Sequence, residues 1–198
     1  MYGLAPRTTK ETIRLSLAKF GTVTSTTFRP CTRGIKTIAE VVFHSASAIE
    51  KLRASKDQAV FIGTDMARLK SIAGEQVTWT MGNVLKLSGM RFGTTPLDLI
   101  DVLEQGKANF VDIPRVYNRD GSKMRRLQEA FVYFNSKEDM ESATKINFQL
   151  GNNLLEWCDL NTKKCYQCGS MEHTKRGCEE HKKNMDTKNC MQMVMNFN

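Results

Sequence analysis

One arrangement of local signals occurs twice in this chain at a constant offset, and it limits the possible folds more than any composition value. "AEVVF" begins at Ala39 and "AFVYF" at Ala130, and the serines that open the helices after them, Ser45 and Ser136, are also 91 residues apart. Two independent landmarks with one offset imply duplication of a whole structural unit rather than of a short motif. A chain of 198 residues has room for two such units and a short remainder.

The elements of each copy follow from local chemistry. In the first copy, Thr8 and Glu11 form a capping box, Ile13, Leu17 and Phe20 follow at one helical face, and Gly21 ends the run, which predicts a helix over 8–20. The β-branched "TVTSTTF", the turn-like "RPCTRG" and "IKTIAEVVF" predict two strands joined by a loop. Ser47 and Glu50 form a second capping box ahead of Ile49 and Leu52, and "AVFIG" reads as the closing strand. The second copy starts with strand-like "NVLKLSGM". Thr95-Pro96 then opens a helix with Leu97, Ile100 and Leu103 on one face and Gly106 at its end. "FVDIPRVY" reads as one strand, "NRDG" as a turn, "EAFVYF" as a third strand, "SKEDMESATKI" as a helix capped by Ser136, and "LLEWCDL" as the last strand.

The common order is β-α-β-β-α-β, a ferredoxin-like arrangement. The expected fold is α+β, with two tandem domains over residues 1–74 and 83–160. Only residues 1–4 are available for a strand ahead of the first helix, so the first domain is expected to be degenerate or to lack its first strand.

The third strand of the second copy points to chemistry. Strand parity places Ala130, Val132 and Phe134 inward, against the helices, and Glu129, Phe131 and Tyr133 outward. "AFVYF" matches the last five positions of the K/R-G-F/Y-G/A-F-V-x-F/Y strand of the RNA recognition motif, so the second copy resembles that family. The resemblance implies base stacking on Phe131 and Tyr133, with Trp157 of the last strand as a further aromatic candidate. On the first strand, parity turns Leu85 and Leu87 inward and leaves Lys86 facing out, where the family usually has an aromatic. Lys86, Arg115, Arg125 and Arg126 are candidate phosphate contacts, and solvated rim charges are the plainer reading of them. The corresponding strand of the first copy carries Glu40 at the stacking position, and a carboxylate there neither stacks nor attracts phosphate. The first copy is therefore read as structural, with protein partners as its candidate ligands.

The C-terminal remainder carries "CYQCGSMEHTKRGC". Clustered Cys and His in a chain without a signal-peptide pattern read as metal ligands rather than disulfides, which leaves Cys31 and Cys190 as free thiols. The spacing C-x2-C-x4-H-x4-C resembles the retroviral-type zinc knuckle, with Cys165, Cys168, His173 and Cys178 as ligands of one structural Zn²⁺. A segment this poor in apolar residues cannot fold by burial, so the metal must supply the folding free energy. Three thiolates and Zn²⁺ leave a formal charge of −1, which Lys163-Lys164, Lys175-Arg176 and Lys182-Lys183 offset. The resemblance assigns Tyr166, Lys175 and Arg176 to nucleic-acid contact over 163–180, and Glu172, where the family often has Gly, puts a carboxylate beside the implied base pocket. The Met- and Asn-rich end, 181–198, is expected to be disordered.

A net charge of +8 attracts polyanions. No apolar run is long enough for a membrane span, so an intracellular protein is expected, with single-stranded RNA as partner, single-stranded DNA as a second possibility, and no membrane. Four protein ligands leave zinc no open position, and there is no phosphate loop or nucleophile-base pair, so an enzyme is not expected. RRM-like units followed by a knuckle resemble the Gag-like first-frame proteins of retrotransposons. A cellular RNA-processing factor and a protein-interaction scaffold built from degenerate copies remain as alternatives.

Overall fold

Helix α1, Lys10–Leu17, starts two residues later and ends three residues earlier than the 8–20 the sequence pattern predicts. Thr9 Oγ1 accepts from Thr12 N at 3.1 Å and caps the helix, while Glu11 pairs with Arg14 instead of closing a box. Ile13, Leu17 and Phe20 are buried as their spacing requires. Strands β1, Val23–Pro30, and β2, Thr37–Phe43, pair antiparallel. Helix α2, Ala46–Ala54, is opened by Ser45, whose Oγ accepts from Ser47 N at 3.2 Å. That phase buries Ala48 and leaves Ile49 exposed. In this computed structural model the described residues are 1–30, 37–54, 59–70, 83–117, 124–162, 177 and 179, and the chain divides into two units, Met1–Trp157 and Cys158–Asn198.

"AVFIG" is not the closing strand of the first copy. It forms β3, Ala59–Ile62, which turns back as a hairpin into β4, Asp65–Arg68. The 91-residue offset carries Asp65 onto Glu156, the start of the second copy's last strand, so β4 is the true counterpart of that strand. Tyr2 bridges Arg68 and Leu4 bridges Thr37 through main-chain hydrogen bonds of 2.8 to 3.1 Å. The N-terminal residues therefore link β4 to β2, in the slot of a first strand. The strand expected to be mostly missing is represented by these two bridges.

The second copy begins with β5, Val84–Ser88. A 3-10 turn at Pro96–Leu99 runs into α3, Ile100–Glu104, under a reciprocal cap between Thr95 and Asp98. The tighter first turn shifts the helix phase. Leu99 and Val102 are buried, whereas Leu97 and Ile100, expected on the apolar face, are exposed. Strand β6, Ala108–Asp112, stops before Ile113-Pro114, because proline has no N–H for a ladder. The rest of the expected long strand is β7, Arg115–Tyr117, which pairs with β8, Met124–Arg126. Then come β9, Glu129–Phe134, and α4, Lys137–Ala143, where Ser136 Oγ accepts from Asp139 N at 3.0 Å. A two-strand hairpin, β10 Gln149–Leu150 and β11 Asn153–Leu154, precedes β12, Glu156–Cys158.

The four-stranded sheet has the order β12-β5-β9-β6. In the numbering of one copy this is strand four, one, three, two, the order of a ferredoxin-like β-α-β-β-α-β unit. One face buries Leu87, Val111, Ala130, Val132 and Phe134 against Leu99, Val102, Ala143 and Phe148. Each of the Leu, Val and Phe side chains contributes about 1.5–3 kcal/mol when fully removed from water. A second core, with Leu4, Ile13, Leu17, Ala39, Val60, Ile62 and Ala67, sits in the first copy. Among the described residues no helix is long and apolar enough to cross a membrane.

Candidate nucleic-acid interface

Strand β9 alternates as its sequence requires. Ala130, Val132 and Phe134 are buried, while Glu129, Phe131 and Tyr133 are half-buried on the opposite face. Register across the sheet sets the neighbours of those outward side chains. Lys86 lies opposite Phe131 on β5, Phe110 opposite Tyr133 and Asp112 opposite Phe131 on β6. Phe131, Tyr133, Phe110, Lys86 and Glu129 therefore share the sheet face turned away from α3 and α4. The Phe110 and Tyr133 rings are 5.4 Å apart between centroids and tilted.

This face is not open as the sequence predicts. Lys86 is only 5% exposed, and its Nζ lies 3.5 Å from the Glu129 carboxylate. Glu129 is its parity neighbour on the adjacent strand, so a charge that strand alternation sends outward is drawn into an ion pair along the sheet. Arg68, from β4 of the first copy, places its guanidinium carbon 3.9 Å from the Tyr133 ring centroid and 4.2 Å from that of Phe110. Asp65, at the other end of β4, accepts from both Arg115 and Arg126, the latter at 2.9 Å. Leu97 N donates to Thr64 O at 3.2 Å and anchors the hairpin turn beside the start of the 3-10 turn.

The hairpin makes both contacts because it is apolar on two sides. Val60, Ile62 and Ala67 enter the core of the first copy, while Ala59 and Met66 belong to the core of the second copy, with Phe61 packed against it. An uninterrupted apolar run such as Ala59–Ile62 is the signature of a strand buried on both faces.

The candidate side chains thus fall into three groups. Phe131, Tyr133 and Lys86 are brought together, joined by Arg126 through Asp65 and the β4 contacts. Trp157 is not part of this face, because its ring stands 6.0 Å from Phe134 and 5.9 Å from Phe148, on the core side of the sheet. Its size and apolarity win over its position on a sheet strand. Arg125 is exposed on β8, between its two half-buried neighbours. Cys165, Cys168, His173, Cys178, Tyr166, Lys175 and Arg176 lie outside the described residues, as does the expected "NRDG" turn. In the first copy, Glu40 is paired with Arg29 at 2.9 Å, so the carboxylate at its nominal stacking position is partly neutralised.

Burial raises the Tyr133 phenol above the ordinary tyrosine value, and the charge of Arg68 opposes that rise. Sequence reading missed Phe110, Arg68 and Asp65. Parity along "FVDIP" places Phe110 and Asp112 opposite Val111, which would have found the ring. Extending the repeat offset to Asp65 would have found β4. No local signal marks Arg68 as a cation that stacks.

No family model and no curated protein matches the sequence. Among solved structures, the first two RRM domains of yeast poly(U) binding protein Pub1 are similar at 10% identity and a TM-score of 0.32, covering 78% of this chain and 93% of that one. The SXL-lethal protein in its RNA complex is similar at 13% identity and 0.33, with the same coverage. The C. elegans NONO-1 homodimer gives 11% identity and 0.33, over 93% of this chain and 69% of that one.

Proposed function

We propose that the chain binds single-stranded RNA, using the outward face of the second sheet and a zinc knuckle in the C-terminal unit. The observation that carries this reading is the common face of Phe131 and Tyr133 on the central strand β9, in register with Lys86 and Val84. Aromatic side chains on a sheet offer a sequence-tolerant platform, and stacking is worth about 1–3 kcal/mol per base. The net charge of +8 supplies the backbone attraction.

Cys165, Cys168, His173 and Cys178 would hold the Zn²⁺. Three thiolates and an imidazole are a donor set suited to closed tetrahedral zinc. The metal would fold the segment and so set Tyr166, Lys175 and Arg176 beside the RNA. Single-stranded DNA offers the same stacking faces and phosphates and would bind by the same contacts. Coating of RNA in a retroelement particle is the role that the pairing of RRM-like units with a knuckle favours.

A protein-interaction scaffold is the second reading, favoured by the ion pairs Arg29–Glu40 and Lys86–Glu129 at nominal stacking positions. Fluorescence anisotropy with labelled single-stranded RNA separates the two. RNA binding predicts an affinity that falls linearly on a log scale with salt, at about 0.7 per phosphate contacted. It also predicts loss of affinity in Phe131→Ala and on zinc chelation. Absence of binding at low salt refutes the RNA reading and leaves the scaffold.

A further inference from the structure

Tyr133, half-buried on this face, and Phe110, 5% exposed beside it, have a planar cation over them. Arg68 Cζ is 3.9 Å from one ring centroid and 4.2 Å from the other. A guanidinium is flat, delocalised and weakly hydrated, so it stacks on aromatic faces as a base does. It also cannot lose its charge near neutral pH. Its placement is built in rather than incidental. Main-chain hydrogen bonds tie Arg68 to Tyr2, Thr64 is tied to Leu97, and Asp65 is held by Arg115 and Arg126.

From this geometry we infer that Tyr133 and Phe110 form a second base-stacking subsite, and that Arg68 is an intramolecular competitor for it. This inference rests on the RNA reading above. The hairpin stays fixed, and the moving part is the Arg68 side chain, which gives up its ring contacts and its hydrogen bond to the Tyr133 hydroxyl when a base arrives. Asp65, on the same strand, pairs with Arg115 and Arg126 and so keeps two further cations from meeting phosphate. The first copy thus lowers the affinity of the second through one strand, β4, although its own sheet has no stacking aromatic at Glu40. The ligand class is an unpaired base of single-stranded RNA, because only an unstacked base presents a free π-face.

The test uses the full chain and a labelled oligouridine, titrated by anisotropy at fixed low salt, with wild type, Arg68→Ala, Arg68→Lys and Phe131→Ala compared. Arg68→Ala is expected to tighten binding by about tenfold, within the range of one additional stacked base. Arg68→Lys keeps the charge without the plane and should fall between Arg68→Ala and wild type. Circular dichroism melts establish that each variant is folded, and Arg68→Lys carries the test if Arg68→Ala is not. Unchanged or weaker binding in the folded Arg68 variants, with Phe131→Ala still weakening it, overturns the competitor and leaves the RNA reading intact. Failure of every variant and of wild type to bind overturns both.

Discussion

Replacement of Asp65 by alanine removes the single carboxylate oxygen that accepts from both Arg115 and Arg126. The side chains involved are mostly out of water, with 15% of Asp65, 9% of Arg115 and 21% of Arg126 exposed. Breaking a buried ion pair by deleting one partner costs about 3–5 kcal/mol, because the other charge is left desolvated. Here the residual exposure lets water reach both guanidinium groups in part, which places the loss at the low end, about 3 kcal/mol. For a unit of this size each kcal/mol lowers Tm by about 2–4 °C, so Asp65→Ala should melt about 6–12 °C below wild type. Asp65→Asn keeps an acceptor but not the charge and should lose less. Glu11→Ala, which breaks an exposed pair within one helical turn, should leave the melt unchanged. Differential scanning calorimetry of the three variants is the assay. A melt of Asp65→Ala indistinguishable from wild type would mean that β4 does not hold the arginines through this carboxylate, and the account of how the two copies are joined would fail.

Phe134→Ala removes a side chain that is 2% exposed and should cost about 3–5 kcal/mol, measured by urea denaturation; a loss below about 1 kcal/mol would contradict its place in the core. Gly89 has φ +91°, and a Cβ there would meet Leu154 O at 2.5 Å, whereas Gly93 has φ +85° with open space around it. Gly89→Ala should therefore destabilise well beyond the roughly 1 kcal/mol of backbone strain expected for Gly93→Ala, and equal effects would refute the contact. Tyr133 is raised by burial above its ordinary value of 10.0, so its stabilising contribution is complete below that pH and is lost as pH climbs through the folded-state value. Ultraviolet titration should show the late-ionising phenol, and Tyr133→Phe should abolish it along with part of the alkaline loss of stability.

What could be read from the chain alone is what depends on neighbours in sequence. Strand alternation fixed the two faces of β9, since successive side chains must point opposite ways, and burial follows that parity at all six positions. The Ser136 cap and the Ile13, Leu17 and Phe20 stripe were legible for the same reason, because a helical turn is a local object. The duplication was legible because an offset survives any folding. The zinc ligation proposed for Cys165, Cys168, His173 and Cys178 rests on spacing alone, and these residues lie outside the described ones.

Tertiary structure decided everything that depends on what lies across a face. A 3-10 start rotated the buried side of the helix after Thr95 from Leu97 and Ile100 to Leu99 and Val102. The core drew Trp157 to Phe134 and Phe148, and Glu129 drew Lys86 into the sheet. The second copy's aromatic face was legible as a surface, but Arg68 lies 65 positions before Tyr133 in the chain. No periodicity links residues so far apart. Only the packing of β4 against β6 puts a cation over those rings, and with it the difference between an open platform and an occupied one.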